Sequence, residues 1–274
     1  MVSDALLELV LDKQELSGIN RSFARRILSE WLADNQQVHE AYKEDPERFT
    51  RKKAFQKLRR EVRKQLREVY GVFFTSKYAS KREAYTKELI ETNSESARQE
   101  LLGLHRSTKE RLYEYPFLYQ QLFAELESTP RSVLDLGCGY NPFSYAYLPC
   151  TPAYHCADIA CADLELVKEY LQSIEVTCST HCIDLTDVDA VKELPACDVA
   201  FAFKLFDSLE TRKWDVTEEL LEAIPAEIII ASFPTKSIGQ KKSIGPRKWF
   251  LELITDKSFK TVTLENEQFF IITV

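Results

Sequence analysis

Apolar residues in the first part of the chain recur at intervals of three and four. The segment 6–11, LLELVL, is the first such group, and comparable groups continue to about residue 125. This spacing places the apolar side chains on one face of an α-helix, so we predict an all-helical N-terminal region. Near its end, Ser107 followed three residues later by Glu110 has the pattern of a helix N-cap with its reciprocal partner.

The pattern changes at Thr129-Pro130, where short runs rich in β-branched and aromatic residues begin to alternate with helical stretches of 10 to 15 residues. Such alternation is typical of βαβ units. We therefore predict an α/β fold with a doubly wound, mostly parallel sheet and an N-terminal all-helical extension. We place the domain boundary between residues 1–104 and 105–274. The predicted strands are 133–136, 154–157, 176–179, 199–203, 228–231 and 269–274.

Length and composition narrow the class of protein. A chain of 274 residues is long enough for one full domain and a smaller appendage, and its 45% hydrophobic and 29% charged content excludes a disordered or collagen-like protein. No run of 18 apolar residues occurs, and the start Met1-Val2-Ser3-Asp4 lacks the features of a secretory signal. We therefore expect a globular, cytoplasmic protein.

The seven cysteines share one stretch of 60 residues, are odd in number and form no CxxC pair. We interpret them as small buried residues in a reducing compartment rather than as metal ligands, and we predict no metal site. They stand at positions 138, 150, 156, 161, 178, 182 and 197.

Charge distinguishes one segment from the rest. The formal charge of -7 argues against a generic nucleic-acid binder, whose whole surface is usually positive. Residues 51–67, however, contain nine Lys and Arg against the single acid Glu61, with apolar residues at helical spacing between them. A solvated helix face and a phosphate-binding surface both fit, and the charge excess favours phosphate. Membrane binding ranks low, since the apolar side is not Trp-rich. The predicted phosphate contacts are Lys52, Lys53, Arg59, Arg60, Arg63, Lys64 and Arg67.

A tight glycine turn, DLGCGYNP, follows the first predicted strand at residues 135–142. Its two glycines allow the backbone to approach a ligand closely. A dinucleotide fingerprint would need a third glycine where Pro142 stands, so a pyrophosphate is disfavoured. The turn instead resembles the D-x-G-x-G loop of class I S-adenosylmethionine (SAM) methyltransferases. That resemblance implies that Asp135 orders the loop and that the methionine part of SAM lies over the glycines.

Two further acids stand where such a cofactor needs partners. Asp158 ends the second predicted strand, where it can accept both ribose hydroxyls, and Asp184 follows the third, where it can accept the adenine amino group. Either acid alone fits a helix N-cap or a loop equally well. Three acids and two glycines in order at successive strand ends favour SAM. The predicted contacts here are Asp135, Gly137, Gly139, Asn141, Pro142, Asp158, Ile159, Asp184, Leu185 and Phe203.

Three further stretches of the chain are LHRSTKERL at 104–112, FKLF at 203–206 and SFPTKS at 232–237. They resemble the signatures of one family, the aminoglycoside-resistance 16S rRNA (guanine-N7) methyltransferases. The resemblance spans most of the chain. It implies a SAM-dependent enzyme that methylates N7 of guanine 1405 in the decoding site of the assembled 30S subunit, giving resistance to 4,6-linked aminoglycosides. It also implies that Arg111 pairs with the methionine carboxylate of SAM and that Lys204 is catalytic, beside the methyl-transfer centre.

The same resemblance implies that residues 232–237 border the target-base pocket and that the helical region docks on the small subunit. We expect the protein to act as a monomer. A second basic group follows the fifth predicted strand, where an ordinary surface loop is the alternative to RNA contact. The chain departs from the family here, because residues 240–242 (QKK) replace a glycine-rich stretch, and it carries Tyr140 and Phe143 where Leu is usual. The predicted RNA contacts in this group are Lys236, Ser237, Lys241 and Lys242.

The site chemistry favours N7 without reference to the family. Enzymes that methylate exocyclic amines usually carry an Asn/Asp-Pro-Pro-aromatic motif after the fourth strand, where this chain has Lys204-Leu205-Phe206, and that strand carries no Pro-Cys dipeptide. Guanine N7 has an in-plane lone pair and no proton, so its methylation needs positioning and electrostatics rather than a general base. His105 stands at a helix entry, and we interpret it as structural.

Two other functions stay open. An adenine-N1 methyltransferase of the same decoding region would clamp its base between Trp side chains, whereas Trp31, Trp214 and Trp249 lie outside the expected pocket loops. A non-catalytic ribosome- or RNA-binding protein of the same fold would not need the intact set of acids and glycines. Guanine-N7 methylation is therefore the preferred hypothesis.

Overall fold

The computed structural model describes residues 3–16, 18–70, 77–211, 215–236, 245 and 247–274. The chain divides into two compact units, residues 1–73 (unit 1) and 74–274 (unit 2). Unit 2 begins before the predicted boundary at residues 104 and 105, because helices of the predicted helical region pack onto the α/β part. The Tyr78 hydroxyl, for example, donates to the buried carboxylate of Asp163 at 2.6 Å. A docking role for residues 1–104 stays a prediction.

Unit 1 is helical in its described part, as predicted. The side chains of Ser3, Asn20 and Asp45 accept backbone N–H groups at the starts of three of its helices. The last helix buries the predicted apolar stripe, including Leu58 and Leu66. The helices are α1 Asp4–Leu11, α2 Arg21–Asp34, α3 Gln36–Glu44, α4 Pro46–Phe49 and α5 Lys53–Tyr70, with a 3₁₀ turn at Gln14–Leu16.

Four helices of unit 2 precede the sheet: α6 Tyr78–Thr92, α7 Glu95–Leu102, α8 Arg106–Glu110 and α9 Tyr115–Phe123. The predicted N-cap at Ser107 is wrong, because α8 begins at Arg106 and His105 precedes it. The Ser107 hydroxyl lies 2.9 Å from Nδ1 of His105 instead of bonding the backbone. Thr108 Oγ1 donates to the carbonyls of Leu102 and His105, which joins the start of α8 to the end of α7.

A seven-stranded sheet forms the centre of unit 2, and its strand order is β3-β2-β1-β4-β5-β7-β6. The strands β1 to β5 pair in parallel, whereas β7 is antiparallel to both β5 and β6. The strands are β1 Ser132–Leu136, β2 Ala153–Asp158, β3 Cys178–Cys182, β4 Cys197–Phe203, β5 Ala226–Pro234, β6 Ser258–Thr263 and β7 Glu267–Thr273. The remaining helices are α10 Cys161–Ser173, α11 Val188–Lys192, α12 Phe206–Glu210, α13 Val216–Ala223 and α14 Lys248–Leu253, with a 3₁₀ helix at Asn141–Tyr147.

The predicted α/β fold with a mostly parallel sheet and a helical N-terminal region is confirmed. The sequence missed β6, because this edge strand exposes most of its side chains and therefore lacks a buried apolar run. The third strand was predicted at residues 176–179 but runs from Cys178 to Cys182.

The central strands β1, β4 and β5 are largely buried, and alternate residues along a strand face opposite sides of the sheet. On β1, Val133 joins the apolar cluster under α6, α7, α9 and α10, whereas Leu134 and Leu136 join the cluster under α11 to α14. Among the described residues, no helix combines the length and the apolar character that spanning a membrane requires.

Two of the seven cysteines form a disulfide, Cys161–Cys182, so the interpretation of all seven as separate buried residues is wrong. Strand pairing explains why they meet. Cys182 lies opposite Asp158 in the β2–β3 ladder, and Cys161 opens α10 directly after β2. Of the free thiols, Cys138, Cys156 and Cys197 are buried, while Cys150 and Cys178 are half-buried.

Candidate active site

The glycine loop after β1 needs both of its glycines. Gly137 and Gly139 have φ angles of +61° and +48°, a region that favours glycine. A Cβ on Gly137 would lie 2.7 Å from Cδ1 of Leu205, and one on Gly139 would lie 3.0 Å from Nε2 of His105. The loop backbone is therefore closely approached by the residues after β4 and before α8.

Asp135 and Asn141 hold this loop from beneath. The Asp135 carboxylate accepts from Asn141 Nδ2 at 2.9 Å and from the Tyr154 hydroxyl at 2.7 Å, and Asn141 Oδ1 accepts from the Tyr115 hydroxyl at 2.9 Å. Burial raises the pKa of Asp135 to about 6, although these hydrogen bonds oppose the shift. Pro142 is buried in the first turn of the following 3₁₀ helix. Of the predicted cofactor contacts, these three order the loop from the core.

The two acids predicted for the cofactor lie at the same edge of the sheet. Asp158 accepts from the backbone N–H groups of Gly139 at 2.9 Å and Ala160 at 2.8 Å, one through each oxygen. Burial raises the pKa of Asp158, and these N–H groups oppose the shift. Asp184 accepts from the backbone and hydroxyl of Thr186 at 3.1 and 2.8 Å.

Apolar side chains stand between and beside these acids. Ile159 is half-buried, and Leu185 is buried, with its Cδ1 3.8 Å from the position of a Cβ on Gly137. Phe203 is buried at the end of β4, and the guanidinium carbon of Arg111 lies 4.9 Å from the centre of its ring. All three predicted apolar contacts thus lie around the glycine loop and the ends of the strands.

A cluster of opposite charges lies at the ends of β4, β5 and β7. Arg111 donates from Nε and Nη2 to the two carboxylate oxygens of Glu267 at 2.8 and 2.7 Å, and both side chains are buried. Nζ of Lys204 lies 3.3 Å from Glu267 and 2.7 Å from Glu110. The Ser232 hydroxyl also donates to Glu267. Burial alone would raise the pKa of Glu267, but the charges of Arg111 and Lys204 outweigh it and hold the pKa at about 2.

Lys204 has a strained backbone, since its φ of +55° is unfavourable for a residue with a side chain. Its backbone N–H donates to the carbonyl oxygen of Ser232 at 3.1 Å and to its hydroxyl at 3.0 Å. These bonds keep the lysine in this conformation directly after β4. Asn93, Glu175 and Asp215 have positive φ angles as well, so the catalytic role of Lys204 stays a prediction.

Sequence reasoning missed the contributions of His105, Glu110 and Glu267. The ring of His105 lies against the glycine loop and stacks on Tyr140, with 5.9 Å between ring centres. Burial, followed by the charges of Arg111 and Lys204, lowers its pKa to about 3, so the imidazole is neutral. In the sequence, Glu267 is marked only as a lone acid before an apolar strand. That local pattern does not show that Glu267 pairs with Arg111, which is distant in sequence.

Of the seven cations predicted on and directly before α5, five are exposed, one is half-buried and one is buried. Lys52, Lys53, Arg60, Lys64 and Arg67 are exposed, and Arg59 is half-buried over the Phe55 ring. The prediction that Arg63 contacts phosphate is wrong for this structure. Its buried guanidinium donates to the carbonyl oxygens of Leu9, Val10 and Asp12, which end α1 without intrahelical partners.

The second predicted basic group falls partly outside the described residues, which do not include Ser237, Lys241 and Lys242. Lys236 is half-buried, and its Nζ lies 3.4 Å from Glu265 Oε1. The tryptophans do not form a base clamp in the described part of the chain. Trp31 is buried in unit 1 and donates to Glu61, and Trp249 packs against Phe233. Trp214 lies outside the described residues.

Fold and site together define the class: a parallel sheet with a glycine loop after β1 and acids after β2 and β3 is the arrangement of class I methyltransferases. The family model described as ribosomal RNA methyltransferase (FmrO) matches residues 52–267. The chain belongs to this family, which confirms the resemblance noted from its motifs.

Individual relatives agree with this assignment. A 16S rRNA (guanine(1405)-N(7))-methyltransferase of Frankia casuarinae is 31% identical over 142 residues, covering 51% of this chain and 49% of the relative. One of the same name from Micromonospora echinospora is 29% identical over 184 residues, covering 64% and 66%. The chain thus matches between about half and two thirds of the length of these curated relatives. The crystal structure of 16S rRNA methyltransferase RmtF with S-adenosyl-L-homocysteine superimposes with a TM-score of 0.77 at 24% identity, over 100% of this chain and 99% of RmtF, and shows a common fold.

Proposed function

We propose that this protein transfers a methyl group from SAM to N7 of guanine 1405 in 16S rRNA of the assembled 30S subunit. The observation that carries the proposal is the position of Lys204, held in a left-handed conformation beside the glycine loop and paired with Glu110 and Glu267. Family membership and the names of the relatives support the reaction and the nucleotide.

The residues around the glycine loop fit SAM as the cofactor, and the ligand of RmtF supports the same choice. SAM supplies an electrophilic methyl group on a sulfonium. Each Asp158 oxygen accepts one backbone N–H, and a carboxylate has about four acceptor sites, so it can also accept ribose hydroxyls. Asp184 lies near it for the adenine amino group. Arg111 uses two of its five N–H donors on Glu267 and can offer others to the methionine carboxylate.

Methylation of guanine N7 requires little acid–base chemistry from the protein. Guanine N7 attacks through its own lone pair and releases no proton, so the site must hold the base and exclude water. N7 and O6 are adjacent acceptors on the same edge of guanine. Lys204 Nζ is a donor suited to O6, and its two carboxylate partners limit the orientations of its side chain. Lys204 therefore orients the base rather than removing a proton.

The exposed cations of α5 support docking on rRNA through phosphate contacts. In this proposal residues 1–104 recognise the shape of the small subunit, and Lys236, Ser237, Lys241 and Lys242 contact RNA near the target. The protein acts as a monomer in the cytoplasm. Its product blocks 4,6-linked aminoglycosides such as kanamycin and gentamicin, so expressing cells become resistant to them while staying sensitive to apramycin.

Transfer of tritium from labelled SAM to isolated 30S subunits tests the proposal, with the site mapped by reverse transcription after borohydride/aniline cleavage. We expect a stop at guanine 1405 on assembled subunits and little product on naked rRNA. The Lys204→Ala variant should slow transfer with little change in SAM affinity. A methyl group on adenine N1, or resistance to apramycin, would contradict the guanine assignment.

A further inference from the structure

One aromatic side chain, two residues after Arg111 of the charge cluster, is almost fully exposed to solvent. Tyr113 is 91% exposed, and Phe117, four residues later, is 43% exposed. Leaving a large ring in water gives up the stabilisation that its burial would provide, about 25 cal/mol for each Å² of apolar surface. Tyr113 therefore contributes little to folding through burial.

The residues that flank Tyr113, by contrast, make specific contacts. Tyr113 lies in the turn between α8 and α9, where Arg111 and Glu114 both have right-handed helical backbone angles. On one side of it, the guanidinium of Arg111 is fixed by Glu267. On the other side, Oε1 of Glu114 accepts from the backbone N–H of Glu265 at 3.1 Å. The turn that carries Tyr113 is therefore anchored on both sides, and one of its anchors, Arg111, belongs to the charge cluster.

Two exposed cations accompany this ring on the preceding helix. Arg106 and Lys109 are exposed on α8. Within the part of the chain that the structure describes, neither has an acidic partner. The neighbouring acid Glu110 is engaged with Lys204. Arg106, Lys109, Tyr113 and Phe117 are thus all exposed within the twelve residues 106–117, and this set, here termed the α8–α9 surface, provides both aromatic rings and positive charge.

We infer that the α8–α9 surface binds an unpaired stretch of the RNA substrate, with a nucleobase stacked on Tyr113 and backbone phosphates at Arg106 and Lys109. Proteins that hold single-stranded nucleic acid combine basic side chains along the backbone with aromatic rings on which bases stack. This inference rests on the proposed function, because that function supplies RNA at this edge of the sheet.

The position of N7 in an RNA helix explains why a stacking surface would be needed. The N7 edge of guanine faces the deep, narrow major groove of an A-form helix, which side chains cannot enter. The base must therefore leave its stack, and the nucleotide beside it then exposes an unstacked face. Stacking on an aromatic ring is worth roughly 1 to 3 kcal/mol per base, which offsets part of the cost of unstacking.

Fluorescence anisotropy with the full chain and a labelled single-stranded RNA of about 12 nucleotides tests the inference directly. Tyr113→Ala and Tyr113→Leu should each weaken binding at least about fivefold, whereas Tyr113→Phe should stay within about twofold, since stacking needs a ring and not a hydroxyl. Phe259→Ala, at an aromatic that is 37% exposed on the edge strand β6, is the matched control and should leave affinity unchanged. Equal affinity of the wild type and Tyr113→Ala would overturn the inference, and full tolerance of Leu would do so as well.

The two cations predict a separate readout. Replacing both Arg106 and Lys109 with Gln should reduce the slope of log affinity against log salt concentration by about 1.4, at about 0.7 for each phosphate contact on a single strand. An unchanged slope would contradict their assignment to phosphates. Tyr113-dependent binding to anionic lipid vesicles, without any to RNA, would identify a membrane surface instead.

A second measurement separates this inference from the proposed function. In methylation of 30S subunits, Tyr113→Ala should raise KM for the subunit at least about fivefold with SAM affinity unchanged. If the wild type binds RNA through Tyr113 but methylates no subunits, the proposed function fails and the stacking surface stands. If the wild type methylates subunits and Tyr113→Ala has the wild-type KM and RNA affinity, the stacking surface fails and the proposed function stands.

Discussion

Most cations of α5 in unit 1 differ in exposure from the two cations of the charge cluster in unit 2. On α5 most of the cations are exposed, and those with acidic partners pair at the surface, as Lys64 does with Glu68 at 3.7 Å. In unit 2, Arg111 and Lys204 are withdrawn from water and share the carboxylate of Glu267. Exposed cations keep their charge available for a partner, and the energy they provide depends on salt. Enclosed cations are already neutralised, and they fix geometry.

The largest expected effect comes from removing the shared anion. Glu267→Gln leaves Arg111 and Lys204 near each other without their central counterion, and breaking a buried pair in this way typically costs about 3 to 5 kcal/mol. Urea unfolding of unit 2 should show a loss of this order. Glu265→Gln, which removes an exposed partner of Lys236, is the control and should change the free energy of unfolding by less than about 0.5 kcal/mol. A similar loss in both variants would erase the distinction between enclosed and exposed charges.

The pH dependence of the unfolding free energy gives a second test with the Glu267→Gln variant. Because the folded-state pKa of Glu267 is lowered to about 2 from an ordinary value of 4.5, its contribution to stability is present above pH 4.5 and is lost as the pH falls toward 2. The difference in unfolding free energy between wild type and Glu267→Gln should therefore shrink across this window. A difference that stays constant below pH 4.5 would contradict the assignment of an ionised, ion-paired Glu267.

Reversing the charge of α5 side chains should weaken binding of the 30S subunit and leave the stability of the fold unchanged. Changing Arg59, Arg60 and Lys64 to Glu removes phosphate contacts and adds repulsion, so binding of 30S subunits should fall at least about 100-fold at 150 mM salt. SAM affinity and thermal stability should be retained. Arg131, Lys192 and Lys260 lie outside residues 1–104 and are 91, 56 and 57% exposed, so changing them to Glu gives a control with the same change in charge. Equal losses in both triple variants would show that net charge, and not the α5 face, governs binding.

A carboxylate at the edge of the sheet should have an intermediate effect. Asp158→Ala removes an acceptor that fixes the glycine loop through Gly139 and is proposed to bind the ribose of SAM. Since hydrogen bonds to a charged group contribute about 1.5 to 3 kcal/mol each, SAM affinity should fall at least about tenfold. Calorimetry measures this, with the exposed Asp189→Ala as the control. Unchanged affinity in Asp158→Ala would remove the cofactor assignment at this acid.

The smallest expected effect is on stability and comes from replacing Arg63, the buried cation of α5. Arg63→Lys keeps the charge but loses the planar group that bonds three carbonyl oxygens at the end of α1, so unit 1 should lose about 1 to 2 kcal/mol of stability. Arg67→Lys, at an exposed neighbour on the same helix, should change stability by less than about 0.5 kcal/mol. If Arg63→Lys instead weakens subunit binding with no loss of stability, Arg63 contacts phosphate as the sequence suggested.

Local pattern alone was enough to identify the features that depend on neighbouring residues. Helical spacing identified α5 with its apolar stripe, and alternation identified five parallel strands to within a few residues. The order of residues after β1, β2 and β3 identified the glycine loop, Asp158 and Asp184, because parallel strands bring their carboxyl ends to one edge of a sheet. The motif around Lys204 located the end of β4.

Packing between segments distant in sequence settled the rest. Nothing near Arg63 shows that it reaches the end of α1, since charge and spacing are the same for its exposed neighbours on α5. The pairing of Glu267 with Arg111 spans 156 positions, and Cys161 meets Cys182 because β2 and β3 are in register. The periodicity of apolar residues in the sequence indicates whether a side chain faces the core. Which partner a buried charge or thiol meets depends on strand order and register, and these are set when the whole sheet assembles.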